Sequence, residues 1–218
     1  MLQIVLTGGP HSGKSTLLHE LEKQGGFYLV PEAAIQVIKQ LAEEMGMEES
    51  LKWRESNFEA FQRRIVYLQK KQEEAVTRAN AGDNKVLIDR GRWDNVAFCK
   101  LFNVTPSEEM ISLCKEANYD LVFVLETIKP FSSRTETGRI EDEAQAEQVT
   151  NLLFETYQEL GLNPIRIPQM PVKDRVLAVF KQINGLICTC GHTRQNHNYK
   201  GNFECFNCGY NICSKFTH

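Results

Sequence analysis

The chain contains no apolar run of the roughly 18 residues that a membrane-spanning helix requires, so an integral membrane protein is not expected. No secretory signal peptide is expected either, because Met1 runs directly into a strand-like segment without a basic flank. Positive charge is not in excess. The net charge of −3 at pH 7 carries no strong signal of nucleic-acid binding. These absences predict a cytoplasmic protein without a membrane span.

Cysteine is scarce over most of the chain and concentrated at its end. Cys99 and Cys114 each stand alone in an apolar helical pattern, as expected for inert core thiols. The other five of the seven cysteines lie between Cys188 and Cys213. The length of 218 residues suits one medium domain with a small appendage. We therefore predict two units, residues 1–184 and residues 185–218.

Short apolar runs alternate with helical patterns over the larger unit. The predicted strands are residues 3–7, 27–30, 85–89, 120–125 and 164–167. The predicted helices are residues 15–24, 33–45, 53–80, 143–160 and 172–183, with a further helix starting at the capping box of Thr105. Because the strands are continuous apolar runs, the pattern predicts an α/β three-layer sandwich around a mostly parallel, five-stranded sheet.

A phosphate-binding signature follows the first predicted strand. The segment from Gly8 to Ser15 fits G-x-x-x-x-G-K-[ST], with a strand before it and a helix after it. Backbone N–H groups of such a loop surround phosphate oxygens, and the helix start favours negative charge. Lys14 is predicted to reach the β- and γ-phosphates of ATP or GTP, Ser15 to bind Mg²⁺, and Thr16 to support the α-phosphate. The predicted nucleotide-binding residues are Gly8, Gly9, Pro10, His11, Ser12, Gly13, Lys14, Ser15 and Thr16.

Two carboxylates follow neighbouring predicted strands. Asp89 closes the third strand, where a side chain lies beside the phosphate site of a parallel sheet. It is predicted to act on Mg²⁺ or to take a proton from an attacking hydroxyl. Glu32 follows the second strand and is a second candidate for the base. The spacing leaves open which of the two is the base, and either residue is also compatible with a plain helix-capping role.

Arginines are candidates for stabilising the charge of a transferred phosphoryl group. Arg134 and Arg139 lie in the polar stretch 127–142. Arginines on a segment that covers the phosphates neutralise charge in phosphoryl transfer. The alternative for Arg134 and Arg139 is an ordinary solvated loop.

Several motifs, taken in order, resemble a known family. They are Gly8 to Thr16, Pro31-Glu32-Ala33-Ala34, Asp89-Arg90-Gly91 with Asp94, the strand ending at Glu126, Gly138-Arg139-Ile140-Glu141, and Tyr157. Together they resemble the AAA-type ATPase-like P-loop family that contains the nicotinamide riboside kinase domain, and more distantly the deoxynucleoside kinases. The resemblance covers roughly residues 1–184. It implies that Asp89 and Arg90 are active-site residues and that Arg139 is a lid arginine. The missing Asn-Lys-x-Asp guanine motif favours ATP.

The C-terminal segment has the ligand spacing of a Zn²⁺ site. It reads Cys188-Thr-Cys190-Gly-His192, then His197, Cys205-x-x-Cys208 and Cys213. Thiolates and imidazoles on tight turns suit tetrahedral Zn²⁺, and a segment this short needs a metal to fold. The preferred ligands are Cys190, His197, Cys205 and Cys208. The alternatives Cys188, His192 and Cys213 stay open. The segment resembles short Cys-x-Cys-Gly-His zinc modules, a kind of module that can contact a protein partner.

Two functions are compatible with these patterns. The first is a kinase that passes the γ-phosphate of Mg·ATP to a hydroxyl or phosphate of a nucleoside-like small molecule. The second is a nucleotide-gated binding protein with slow hydrolysis, in which ATP or GTP orders residues 127–142. Acceptor-dependent turnover separates the two.

Overall fold

A computed structural model describes residues 1–80, 85–129 and 143–186. The strands are β1 (Leu2–Gly8), β2 (Phe27–Val30), β3 (Lys85–Asp89), β4 (Leu121–Leu125) and β5 (Ile165–Ile167). The helices are α1 (Lys14–Gln24), α2 (Ala33–Met45), α3 (Met47–Ser56), α4 (Phe58–Ala79), α5 (Asp94–Leu101), α6 (Glu108–Lys115), α7 (Glu143–Glu159) and α8 (Val172–Leu186).

The five strands form one sheet in the order β2-β3-β1-β4-β5, and every pair is parallel, as predicted. The central strand is β1. Its residue Leu6 is opposite Asp89 on β3, and its residue Gly8 is opposite Leu125 on β4. The segments that follow β1, β3 and β4 therefore leave the sheet side by side at one edge.

The sheet is covered on both faces because its side chains alternate between them. Leu2, Ile4 and Leu6 of β1 pack in one core with residues of α1 and α8. Val5 of β1 packs on the other face, in a core to which α4, α5, α6 and α7 contribute. This arrangement confirms the predicted α/β sandwich.

The region between β2 and β3 differs from the prediction of one helix over residues 53–80. The chain forms two helices that break at Asn57, whose backbone is not helical (φ −125°, ψ 45°). The Asn57 side chain donates to the carbonyl oxygen of Trp53 at 3.0 Å and so closes the end of α3. Asn commonly makes such local bonds in place of a helical backbone bond.

Three further helices differ from the prediction. Helix α5 was not predicted, because five of its eight residues are buried and no amphipathic period is visible in the sequence. Helix α6 starts at Glu108 rather than next to Thr105, because Ser107 is its N-cap and accepts from the N–H of Met110 at 3.3 Å. Helix α8 extends to Leu186, beyond the predicted end at residue 183.

Candidate functional site

The phosphate loop connects β1 to α1, and its backbone requires glycine at specific places. Gly13 precedes α1 with a backbone φ of 75°, a conformation that residues other than glycine rarely adopt. A Cβ atom on Gly13 would also lie only 2.8 Å from Ile128 Cδ1. A Cβ atom on Gly9 would collide with the backbone of Ala146 on α7. The close approach of neighbouring segments thus explains why the loop is rich in glycine.

Helix α1 presents its N-terminus at this loop. Lys14, Ser15 and Thr16 form the first turn, which contains no acidic residue. Ser15 and Thr16 are exposed, whereas the aliphatic residues after them are buried. The N–H groups at the start of a helix, together with its dipole, attract anions. This end of α1 is therefore suited to bind phosphate.

The Lys14 side chain is only 8% exposed and is held by two carboxylates. Its Nζ pairs closely with Asp89 Oδ1 and lies 3.4 Å from Glu32 Oε2. Asp89 ends β3 and Glu32 precedes α2, so the parallel sheet brings the two acids to the same edge. The structure thus brings together the predicted residues Lys14, Asp89 and Glu32.

The two carboxylates differ in their electrostatic surroundings. Burial raises the pKa of Asp89 above the ordinary value for aspartate, and this effect outweighs the opposing influence of Lys14. Burial also acts to raise the pKa of Glu32, but the charges of Arg90 and Lys14 outweigh it and leave that pKa below the ordinary value. The pKa of Glu32 is therefore lower than that of an ordinary glutamate, whereas the pKa of Asp89 is higher than that of an ordinary aspartate.

Arg90 links the phosphate loop to Glu32. Its Nε donates to Glu32 Oε1 at 3.1 Å, and its Nη1 lies 3.4 Å from the carbonyl oxygen of Gly8. The guanidinium also stacks over the Phe98 ring at 5.5 Å. The backbone of Arg90 has a φ of 70°, which is strained for a residue other than glycine. The buried Gln69 donates to the Arg90 carbonyl oxygen and helps to hold this conformation.

Asp94 lies directly behind Arg90 and is 1% exposed. It accepts from the hydroxyl of Thr7 at 2.5 Å and from that of Tyr157 at 2.7 Å, and Arg90 Nη1 lies 3.5 Å away. Burial raises the pKa of Asp94 despite these hydrogen bonds. The carboxylate joins β1, α5 and α7 behind the site.

A second buried network supports the turn between β3 and α5. Glu73 on α4 accepts from Arg92 Nε at 3.0 Å, from the Tyr119 hydroxyl at 2.9 Å and from Gln69 at 3.0 Å. Sequence reasoning missed these residues, because Gln69 and Glu73 look like part of a solvated helix face. Their four-residue spacing on α4 was the available signal, and only packing shows that this face is buried.

Arg175 and Thr150 were also missed, and both contact the phosphate loop from distant helices. Arg175 Nη1 on α8 donates to the Ser12 carbonyl oxygen at 2.5 Å. Thr150 on α7 accepts from the N–H of Gly9 at 3.2 Å. The sequence offers no local signal for either contact, because the partners are 163 and 141 residues apart.

Several predicted site residues lie outside the described residues. They are Arg134, Arg139, Cys190, His197, Cys205 and Cys208, together with the alternatives Cys188, His192 and Cys213. In residues 1–80, 85–129 and 143–186, no group of three or more His, Cys, Asp or Glu is placed to hold a metal ion. In the same residues, no helix is long and apolar enough to cross a membrane.

The fold and this loop define a P-loop protein with the architecture of nucleoside kinases. The chain belongs to the AAA domain family, whose model matches residues 3–175, and this confirms the predicted family. The comparison with curated protein sequences gives no match.

Solved structures with a similar fold include two kinds of protein. Deoxyadenosine kinase from M. mycoides with dCMP and dCDP has a TM-score of 0.54 and 17% identity, covering 84% of this chain and 99% of that one. NadR in complex with NR has a TM-score of 0.58 and 14% identity, covering 84% of this chain and 50% of that one. NadR with NAD and AMP-PNP has a TM-score of 0.56 and 16% identity, covering 83% and 49%. At these identities the likeness concerns the fold.

Proposed function

We propose that the protein is a cytoplasmic, ATP-dependent kinase that transfers the γ-phosphoryl group to a hydroxyl or phosphate group of a nucleoside-like small molecule. The observation that carries this proposal is the gathering of Lys14, Asp89, Glu32 and Arg90 at the mouth of the phosphate loop. Phosphate binding alone needs the lysine and the loop. Two carboxylates and an arginine on neighbouring strands add the groups that orient an acceptor and stabilise the transferred charge.

We expect Lys14 to exchange its carboxylate partners for nucleotide phosphates when ATP binds. Lys14 pairs with Asp89 and Glu32 in the structure. The β- and γ-phosphates of ATP carry more negative charge than a single carboxylate, so the lysine is expected to turn towards them. Asp89 and Glu32 then become available to bind other cations and donors.

The donor groups fit Mg²⁺, which is commonly bound through one or two carboxylates plus substrate phosphates rather than by an all-protein cage. The exposed Ser15 hydroxyl and the Asp89 carboxylate would hold the ion. When bound, Mg²⁺ supplies charge neutralisation and orientation of the phosphates. The lack of a three-residue metal cluster in the described part of the chain is compatible with this mode of binding.

Strand order supports different roles for the two carboxylates. Asp89 ends β3, which pairs with β1, whereas Glu32 follows β2, one strand further from the phosphate loop. Adjacent strands are about 4.8 Å apart, so Glu32 follows a strand that is further from the loop, and we propose that the acceptor approaches ATP from that side. We assign Asp89 to the metal side and Glu32 to the acceptor hydroxyl. The lowered pKa of Glu32 keeps its carboxylate ionised at neutral pH, so it can accept a hydrogen bond from the acceptor hydroxyl and orient it.

The arginines would stabilise the transferred group. Arg90 already spans the distance between Gly8 and Glu32, so its guanidinium is placed between the phosphate loop and the proposed base. A planar guanidinium binds phosphoryl oxygens with two parallel N–H groups. Arg134 and Arg139 are proposed to approach the phosphates from the segment between β4 and α7.

The proposed activity is tested by ATP consumption with a panel of acceptors. The full-length protein would be incubated with ATP and nucleosides, nucleotides or nicotinamide riboside, and ADP release would be followed with product mass. The expected result is a rate that rises with one acceptor, together with a product heavier by one phosphoryl group. Binding of ATP without any acceptor-dependent turnover would contradict the kinase and favour the nucleotide-gated binding protein.

The assignment of the base is tested with Glu32→Gln and Asp89→Asn. Loss of general-base assistance lowers kcat by about 10²- to 10⁴-fold, and we expect this loss in Glu32→Gln with little change in ATP affinity. Asp89→Asn is expected to raise the Mg²⁺ concentration needed for half-maximal turnover as well as to lower kcat. If instead Glu32→Gln keeps its turnover and Asp89→Asn loses it at every Mg²⁺ concentration, Asp89 is the base.

We also propose that residues 185–218 form a zinc-stabilised module with Cys190, His197, Cys205 and Cys208 as ligands. The support is the ligand spacing in the sequence. The module would not take part in catalysis, because protein ligands fill all four positions of tetrahedral Zn²⁺. Its role would be to stabilise the C-terminal segment and to contact a protein partner.

A further inference from the structure

Two successive carbonyl groups of the phosphate loop are held by the rest of the protein. The N–H of Ile128, which follows β4, donates to the carbonyl oxygen of His11 at 3.0 Å. Nη1 of Arg175, in the first turn of α8, donates to the carbonyl oxygen of Ser12 at 2.5 Å. Both donors therefore bind the loop immediately before the helix that receives the phosphate.

Because the peptide bond is planar, these contacts also fix the direction of the neighbouring N–H groups. In a planar trans peptide, the C=O of one residue and the N–H of the next point in opposite directions. Arg175 holds the C=O of Ser12, so the N–H of Gly13 in the same peptide points away from Arg175. Ile128 constrains the N–H of Ser12 in the same way. A hydrogen bond to the C=O also polarises the peptide and strengthens its N–H as a donor.

The burial of Arg175 is difficult to explain by packing alone. The residue is 2% exposed, and its Nε and Nη2 atoms have no hydrogen-bond partner in the part of the chain that the structure describes. A buried charge with unsatisfied donors destabilises a fold, and an apolar side chain of similar volume is often at least as stable. The negative charge of Glu126 compensates this cost only in part, because burial still lowers the pKa of Arg175. An anion that binds on the other side of the loop would compensate the charge further.

We propose that Arg175 is a positioning residue for nucleotide phosphates, which aims the Gly13 N–H into the phosphate loop and adds positive charge behind it. Arg175 acts through the Ser12–Gly13 peptide and does not contact the nucleotide itself. The proposal rests on the proposed binding of ATP at this loop, but it does not depend on which acceptor is phosphorylated.

The test compares nucleotide affinity in full-length variants by calorimetry with Mg·ATP, Mg·ADP and adenosine. Arg175→Met is expected to weaken ATP and ADP binding by about ten- to a hundredfold, the range associated with one hydrogen bond to a charged group. Adenosine binding should not change, because adenosine carries no phosphate. The matched control is Lys173→Met, which removes an exposed charge from the same turn of α8 and should leave all three affinities unchanged.

Arg175→Lys tests whether a charged donor is sufficient or whether the guanidinium itself is required. It keeps a charged N–H group near the Ser12 carbonyl oxygen and is expected to recover most of the lost affinity. If Arg175→Met does not fold, Arg175→Gln carries the same expected loss. If Arg175 had only a structural role, its substitution would lower the free energy of unfolding of the nucleotide-free protein without changing the ATP affinity of the folded fraction.

Three outcomes would overturn the proposal. One is ATP affinity in folded Arg175→Met equal to that of the parent protein, and another is an Arg175→Lys variant as weak as Arg175→Met. The third is a parent protein that binds neither ATP nor ADP, which would also remove the proposed function. A parent protein that binds ATP but phosphorylates no acceptor would remove only the kinase.

Discussion

Lys14 is the side chain whose loss we expect to weaken ATP binding most. It is the cation on which both site carboxylates converge, and it is predicted to be the cation that meets the phosphates. We expect Lys14→Ala to abolish ATP binding while the protein stays folded. Glu32 keeps its ion pair with Arg90 in this variant, and Asp89 gains a further tendency to be protonated. Calorimetry with Mg·ATP measures the binding, and circular dichroism verifies the fold.

A matched control for Lys14→Ala is Lys23→Ala, in the last turn of the same helix. Lys23 pairs only with the exposed Glu20 among the described ion pairs, so its loss should not affect ATP binding. Unchanged ATP affinity in a folded Lys14→Ala protein would show that the loop does not use this lysine and would remove the nucleotide-binding assignment.

Asp94 makes the stability of the fold depend on pH. Because its pKa is raised in the folded state, the folded protein binds this proton more tightly than the unfolded chain, whose aspartate pKa is about 3.9. The contribution of Asp94 to stability is therefore largest below the unfolded pKa and falls as pH rises through the folded pKa. Asp94→Asn removes this titration. We expect the unfolding free energy of the parent protein, relative to this variant, to decrease with rising pH.

Urea unfolding at several pH values between about 4 and 8 measures this difference. The other buried acids are present in both proteins, so their titration largely cancels. Asp174→Asn is the control, because water solvates this exposed carboxylate of α8 in both the folded and the unfolded state. A parent-minus-variant difference that stays constant with pH would show that Asp94 is ionised equally easily in both states.

Helix α4 supports the site through a buried ion pair. Glu73 and Arg92 are 4% and 5% exposed, and their Oε2 and Nη2 atoms lie 2.9 Å apart. Glu73→Gln would leave the Arg92 charge buried without a carboxylate, which typically costs about 3–5 kcal/mol in unfolding free energy. Urea unfolding measures the loss. Because Gln69 and Tyr119 also bind Glu73, we expect turnover to fall as the turn around Arg90 loosens.

The neighbouring residue on α4 supplies a control for Glu73→Gln. Glu74 pairs with Lys70 at the surface, where water and salt screen the ion pair, so Glu74→Gln should change stability little. Equal stability of the two variants would show that the Glu73–Arg92 pair contributes no more than a surface ion pair.

The proposed division of the chain into two units leads to a prediction about metal content and folding. Val179 and Ile183 of α8 are buried against the sheet and α1, so a truncated chain must keep the whole helix. We expect a chain ending at Leu186 to fold and to bind ATP like the full-length protein, and we expect zinc only in the full-length protein, at one ion per chain. Metal analysis after purification under reducing conditions, without chelator, measures the zinc. A full-length protein without zinc would contradict the module, and a truncated chain that does not fold would contradict the boundary.

Local patterns in the sequence were sufficient to predict the phosphate loop and the sheet. The loop signature, the apolar strands and the helix starts depend on residues close together in the chain, and the backbone conformation of Gly13 follows from such neighbours. Because all the strands run parallel, Asp89 and Glu32 were predictable at one edge. In the structure, these two carboxylates meet Lys14.

Packing between distant segments decided the rest of the site. The order β2-β3-β1-β4-β5 places Asp89 nearer than Glu32 to the loop, and no local pattern encodes that order. The contacts of Tyr157 with Asp94 and of Arg175 with Ser12 join residues 63 and 163 positions apart. Such contacts depend on how whole helices seat on the sheet, whereas propensity and periodicity report only on neighbours within a few turns. The contacts that hold the side chains of the candidate site in place could therefore be identified only from the tertiary structure.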